Sequence, residues 1–183
     1  MWLAKTRIAL RLLAVAVLAA TTAGCFHPMY AEHTDGTPDL RDKLLGVEVP
    51  PVDKPNGSRE ARVGVEIRNA LAFKLYGNAT GMPPTHRLVL NFNTNKSSLM
   101  VDQATGLPTS ENYGINVQFN LIEIASNKSV MTGNTFSRVS YDIPGSYQRY
   151  ARSRALRDAE DRAAQEVADN IQTRVAAFFS AGT

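Results

Sequence analysis

The chain has 183 residues, 20 Lys and Arg against 17 Asp and Glu, a formal charge of +3 and one cysteine. A lone cysteine excludes an internal disulfide, and a chain this long can bury a core without crosslinks or metal. Three of the basic residues and none of the acidic ones lie in the first 24, so the remaining 159 residues carry 17 of each sign. That neutrality removes the basic excess that would point to nucleic acid.

Lys5, Arg7 and Arg11 precede an unbroken apolar run, Leu12 to Ala20, and Ala23-Gly24 stand directly before Cys25. A basic opening, a short apolar run and small residues are the parts of a secretory signal peptide. The run is too short to span a bilayer. The segment resembles the lipobox of bacterial lipoproteins, which implies cleavage after residue 24 and a lipid on Cys25. Thr22 departs from that pattern, where an aliphatic residue is usual. The alternative is an ordinary signal peptide beside a free thiol.

Residues 25–43, with Pro28, Gly36 and Pro38, read as a polar tether. Residues 44–183 read as one domain. Its first element is a short strand at Leu44–Val49, stopped by Pro50-Pro51. Ser58 offers a cap for a helix to about Tyr76, with Val63, Ile67, Ala70, Leu71 and Leu75 as its apolar stripe and Gly77-Asn78 as its stop. Leu88, Leu90 and Phe92 alternate with polar residues as in a half-buried strand, with a bend expected at Asn93–Ser98 before Leu99-Met100-Val101.

Tyr113, Ile115, Val117, Phe119 and Leu121 alternate with Gly114, Asn116, Gln118 and Asn120, and Ser126–Ser129 turns this strand back into a partner at Val130–Tyr141. Ser146 is placed to cap a last helix reaching about Phe179. Its stripe is Leu156, Ala159, Ala163, Val167, Ile171, Val175 and Phe178. Opposite charges four residues apart, such as Asp158 and Arg162, support that helix. Tyr147 and Tyr150 are expected to pack at its start. The reading is an α+β fold: a four-stranded, mostly antiparallel sheet with two helices on one face, in the order β-α-β-β-β-α. Asn91, Asn93, Asn116, Gln118 and Asn120 fall on the other face, which is polar and nearly uncharged.

No motif for a metal, a phosphate-cradling loop or an activated nucleophile occurs, and His27, His33 and His86 are scattered. Asp102, Glu111 and Glu123 are candidate acids with solvated or paired roles as the simpler reading. No enzyme activity or metal is expected. Arg149, Arg152, Arg154 and Arg157 open the last helix, and guanidiniums bind phosphates bidentately. They do not all share one helix face, and a solvated helix surface is the simpler reading. Arg87 and Lys96 raise the same question near the second strand.

Several features together resemble the LptE family of lipopolysaccharide (LPS)-assembly lipoproteins. Ala23-Gly24-Cys25 followed by Phe26-His27-Pro28-Met29-Tyr30 is similar to the family's Cys-Gly-aromatic opening, with Phe26 where Gly is usual. Ile67-Arg68-Asn69-Ala70-Leu71 is close to its Arg-Asn-x-Leu helix segment, and Asn112–Ile124 to its central strand. The element order agrees as well. The resemblance implies a non-catalytic subunit that plugs an LptD-like β-barrel, assists its assembly and binds LPS. It implies no cofactor beyond diacylglycerol and an N-acyl chain on Cys25. It also implies anchoring at the periplasmic face of the outer membrane, for which Phe26 rather than Asp after the cysteine is suited. The arginines above, with Arg87 and Lys96, would be the LPS-phosphate ligands. An accessory lipoprotein of another envelope lipid transporter, PqiC-like, is the competing reading.

Overall fold

Two periodicities divide the chain, and the architecture follows from them. The computed structural model describes residues 38–77, 83–143 and 148–181, with the chain from Leu40 onward forming one packed unit. Its elements are α1 (Leu40–Leu45), β1 (Val47–Glu48), α2 (Arg59–Tyr76), β2 (His86–Val101), β3 (Pro108–Glu123), β4 (Lys128–Asp142) and α3 (Arg149–Ser180). The sheet order is β1-β2-β3-β4; β1 runs parallel to β2 and the other neighbours are antiparallel. This is the expected α+β fold and order, with one extra short helix. The signal segment, Cys25, Tyr147 and Ser146 lie outside the described residues.

The extra helix begins inside the stretch read as tether. Leu40 and Leu44 are one turn apart and both are buried, so this segment belongs to the core. It also takes Leu44 and Leu45 from the expected first strand, which shrinks to Val47 and Glu48. Helix α2 is bounded as its sequence requires. The Ser58 hydroxyl accepts the Ala61 N–H at 3.0 Å, and Gly77 ends the helix at φ 59°, donating its N–H to the Phe73 carbonyl at 2.9 Å. At the start of α3, Gln148 makes no side-chain cap bond.

Strand β2 runs straight through the bend expected at Asn93–Ser98. Every residue there is paired, from Asn93 opposite Asn116 to Ser98 opposite Glu111, and the register slips only between Ser98 and Val101 beside the turn. Continuous cross-strand pairing outweighs the weak strand preference of asparagine. Leu88, Leu90 and Phe92 from β2, Tyr113 to Leu121 at alternate positions of β3, and Val139 and Tyr141 from β4 point to the helices. Helix α3 meets them with Ala159, Ala163, Ala164, Val167, Ala168, Ile171, Val175 and Ala176, each almost wholly buried. Alanines let a helix lie close on a pleated surface.

Both open sheet edges are covered by cations. Lys54 Nζ donates to the Phe92 carbonyl at 2.7 Å, while Arg162 and Arg174 of α3 donate to the Ser140 and Asn134 carbonyls of β4 at 3.3 and 2.6 Å. Charged side chains on edge groups discourage further strand pairing.

Gly133 faces Phe119 across β3 and β4. A Cβ there would lie 2.5 Å from the phenyl ring, so the ring occupies the space a side chain would need. Gly133→Ala should therefore lower stability by about 1–3 kcal/mol through overpacking, read as a fall in the denaturation midpoint. An unchanged midpoint would show that Phe119 repacks freely.

Candidate functional site: a neutral amide face and a basic strand end

The three described helices pack on one side, and among the described residues the opposite sheet face is bare. Register aligns its side chains in rows across β2, β3 and β4: Val89, Asn120 and Thr132; then Asn91, Gln118 and Asn134; then Asn93, Asn116 and Phe136. Asn116 Nδ2 donates to Asn93 Oδ1 at 3.1 Å, and the Ser129 hydroxyl donates to Asn120 Oδ1. Two shallow depressions, of about 640 and 540 Å³, share Asn91, Gln118 and Asn134, so they form one trough across the three strands. Among the described residues, Lys54 is the one charged side chain lining it. The expected amides are all here, joined by Asn134. Phe136 is also on this face, 61 % exposed, with Arg138 over its ring at 5.5 Å.

The second feature lies where β2 turns into β3 and α3 begins. Lys96 shares a row with Tyr113 and Val139, and the next row is Ser98, Glu111 and Tyr141. The Tyr141 hydroxyl donates to Glu111, whose other oxygen is 3.8 Å from Arg152. Burial, with Glu111 beside it, pushes the Tyr141 phenol well above its ordinary range. Lys96 is held below the ordinary lysine value, first by partial desolvation and then by the charge of Arg59, with Arg152 adding to it. Beneath this end, the buried Glu160 pairs with Arg62 and, at 3.4 Å, with Arg59, while Arg62 also reaches Asp161 at 2.9 Å. Removing one partner of a buried pair typically costs about 3–5 kcal/mol, so this bridge locks α2 to α3.

The six cations named from the sequence divide accordingly. Lys96 and Arg152 converge on Glu111. Arg149 and Arg152 stand about three helical turns before Glu160 and Ala163, so they prolong the buried stripe of α3 past the core. Arg154 and Arg157 lie on another side of the helix, beside Asp158 and Asp161 one turn further on. Arg149, Arg154 and Arg157 are exposed and make no ion pair among the described residues. Arg87 is not part of this group. It sits nine residues from Lys96 along β2, roughly 30 Å away, and pairs with Glu48 at 3.1 Å. Among the helix pairs, Asp158–Arg162 forms at 2.8 Å, but Asp161 is taken by Arg62 and Glu166 by the Ser137 hydroxyl.

Beside the basic end, Leu99, Met100, Val101 and Leu107 expose more than half of their surface at the β2–β3 turn. Tyr150, expected to pack, is 76 % exposed at the start of α3. The turn is held by Asp102, which accepts the Ala104 and Thr105 N–H groups; those bonds, Thr105 first, keep its carboxylate below the usual range. Glu123 accepts from the Ser126 hydroxyl. All three candidate acids thus have structural partners. His86 edges onto the Phe179 ring at 5.0 Å, and burial lowers its pKa. Among the described residues no helix is long and apolar enough to cross a membrane.

The model of the LptE lipopolysaccharide-assembly family matches residues 44–175. The chain belongs to the LptE family. Among solved structures it is similar to a candidate lipoprotein of Caulobacter crescentus CB15, at 26% identity, TM-score 0.61, over 79% of this chain and 97% of that one. It also matches the rare lipoprotein B of Shewanella oneidensis, at 17% identity and TM-score 0.49, over 72% and 93% of the two chains. A minor lipoprotein of Acinetobacter baumannii matches at 10% identity and TM-score 0.49, over 72% and 88%. No curated protein matches the chain. Membership makes this an LPS-assembly lipoprotein of the cell envelope, in a family of accessory subunits.

Among the described residues the buried Tyr113 hydroxyl makes no well-formed hydrogen bond, Thr94 being its nearest polar neighbour, and burial first, then the Glu160 charge, raises its pKa from 10.0 to about 12. A raised value in the folded state adds stability below pH 10 that is lost as pH climbs through 12. Tyr113→Phe should be at least as stable as the parent at neutral pH, by up to about 1 kcal/mol. It should also lose less stability above pH 10. Parallel alkaline limbs in pH-dependent denaturation would refute this account of Tyr113.

Proposed function

We propose that this LptE-family chain is a non-catalytic subunit of the outer-membrane LPS translocon, lipidated on Cys25 and held at the periplasmic face. In this reading it sits within an LptD-like barrel, assists its assembly and binds LPS. The bare sheet face carries the proposal: its neutral amide rows hydrogen-bond readily to water, which suits a face turned to the watery lumen of a barrel. The basic strand end supports LPS binding. Lys96, Arg149 and Arg152 offer cations to phosphates, and Leu99, Met100, Val101 and Leu107 offer apolar surface to acyl chains beside them. Arg154 and Arg157 extend the cationic field on the outer side of α3, while Arg87, already paired, is the weakest of the six as a ligand. One acyl chain gives only marginal membrane binding, so the several chains of a processed lipoprotein suit a permanent anchor.

The test is a mild-detergent pull-down of the tagged, lipidated protein from outer membranes, with mass spectrometry of its partners. A stoichiometric LptD-like barrel is expected, and Cys25→Ser should leave the outer-membrane fraction. Lys96→Ala combined with Arg152→Ala should weaken binding of purified LPS about tenfold or more, as expected for two lost charge-assisted contacts, while the barrel still co-purifies. Recovery of an inner-membrane transporter instead of a barrel would replace this reading with the accessory-lipoprotein one.

A further inference from the structure

We propose that the trough across β2, β3 and β4 is a saccharide-binding surface, and that its ligand is the hydroxyl-rich sugar chain of LPS. This rests on the reading that the protein engages LPS and adds a second contact region, away from the basic strand end. The chemistry of the trough selects the ligand. Asn91, Asn93, Asn116, Gln118 and Asn134 each present a carbonyl acceptor and an NH₂ donor. Sugar hydroxyls are likewise donor and acceptor, so any of them can be answered at any row. Lys54 in the lining and Arg138 over the Phe136 ring are the cations at the trough among the described residues, few beside its five carboxamides.

Phe136 is the second observation. Its parity places it among polar residues, where none of the described elements covers it, and it remains 61 % exposed. Arg138 lies over the ring at 5.5 Å, an attraction that steadies the ring. The ring also lines the wall of the trough beside Asn116 and Asn134. A flat aromatic wall beside polar groups is the usual composition of a small-ligand site, and it matches the C–H face of a pyranose. Rows Val89 to Asn93 extend about 14 Å along β2, and three strands give about 10 Å across, room for a short oligosaccharide lying on the surface. Asn95, leaning over Gly114 at the next row, closes one end: it leaves no space for a Cβ on that glycine.

The experiment uses the full chain in detergent micelles and, as probe, the LPS sugar chain after removal of its acyl chains and phosphates. Saturation-transfer NMR and titration should show direct binding. Phe136→Ala should weaken it at least about fivefold, the loss of one aromatic contact, and Phe136→Tyr should retain it. Asn116→Ala should also weaken it, whereas Lys96→Ala and Arg152→Ala should not. Absence of transfer to the sugar, with intact LPS still bound, overturns the saccharide surface and leaves the functional reading standing. Failure to bind intact LPS removes both. If Phe136→Ala leaves sugar affinity unchanged but abolishes barrel co-purification, the trough is a protein interface and the inference is wrong.

Discussion

One-sided packing is the constraint on which the rest of the structure depends. The three described helices lie on a single face of the sheet, and α3 does so at close range because Ala159, Ala163, Ala164, Ala168 and Ala176 keep its contact surface thin. Strands of fifteen and sixteen residues are far longer than usual, so the bare face is large. A face of that size left apolar would aggregate. The sequence fills it with carboxamides, which hydrogen-bond to water or to a partner without fixed charge. The neutral face and the alanine stripe are thus two sides of one solution.

The length of the strands has a second consequence. The core ends near Tyr113, but β2 and β3 run on, and what lies beyond is free of packing demands. Lys96 and Glu111 occupy positions whose parity would bury them one or two rows earlier. Arg149 and Arg152 do the same for α3. The strand end is therefore where inward-facing positions become available to charge, and the exposed residues of the β2–β3 turn sit next to it. Glu160 belongs to the same transition, a carboxylate at a core position made tolerable by Arg59 and Arg62.

Period-two alternation in β3 and the stripes of α2 and α3 made most of the fold legible before any coordinates. The amide face followed from the same alternation, because parity alone decides which residues share a face. Other features are not legible that way. Helix α1 is too short for periodicity to register, and its Leu44 and Leu45 read as the start of a strand. The bend at Asn93–Ser98 was inferred from local composition, whereas pairing with β3 decides it. The Glu160 bridge does have a sequence signal, a carboxylate between Leu156 and Ala163 on the apolar side. Phe136 had a similar one, an aromatic at a polar parity position. Convergence of Lys96 with Arg152, and the isolation of Arg87, depend on how strand and helix meet, which no single element encodes.

The two regions divide an amphiphilic ligand in a way that follows from their chemistry. Cations beside exposed aliphatic side chains favour a phosphate next to hydrocarbon, and they lie at the end of the sheet. Carboxamides and one aromatic ring favour sugars, and they lie along its face. Lys96 and Asn91 stand five residues apart along β2, about 17 Å, and their opposite parity puts the two regions on opposite faces, so a ligand that reaches both passes round the end of the sheet. A molecule carrying phosphate and acyl chains at one end and sugars at the other would meet each region in the order its own structure presents them. The fold holds that order rigidly, because both regions stand on the same three strands and the same uninterrupted register.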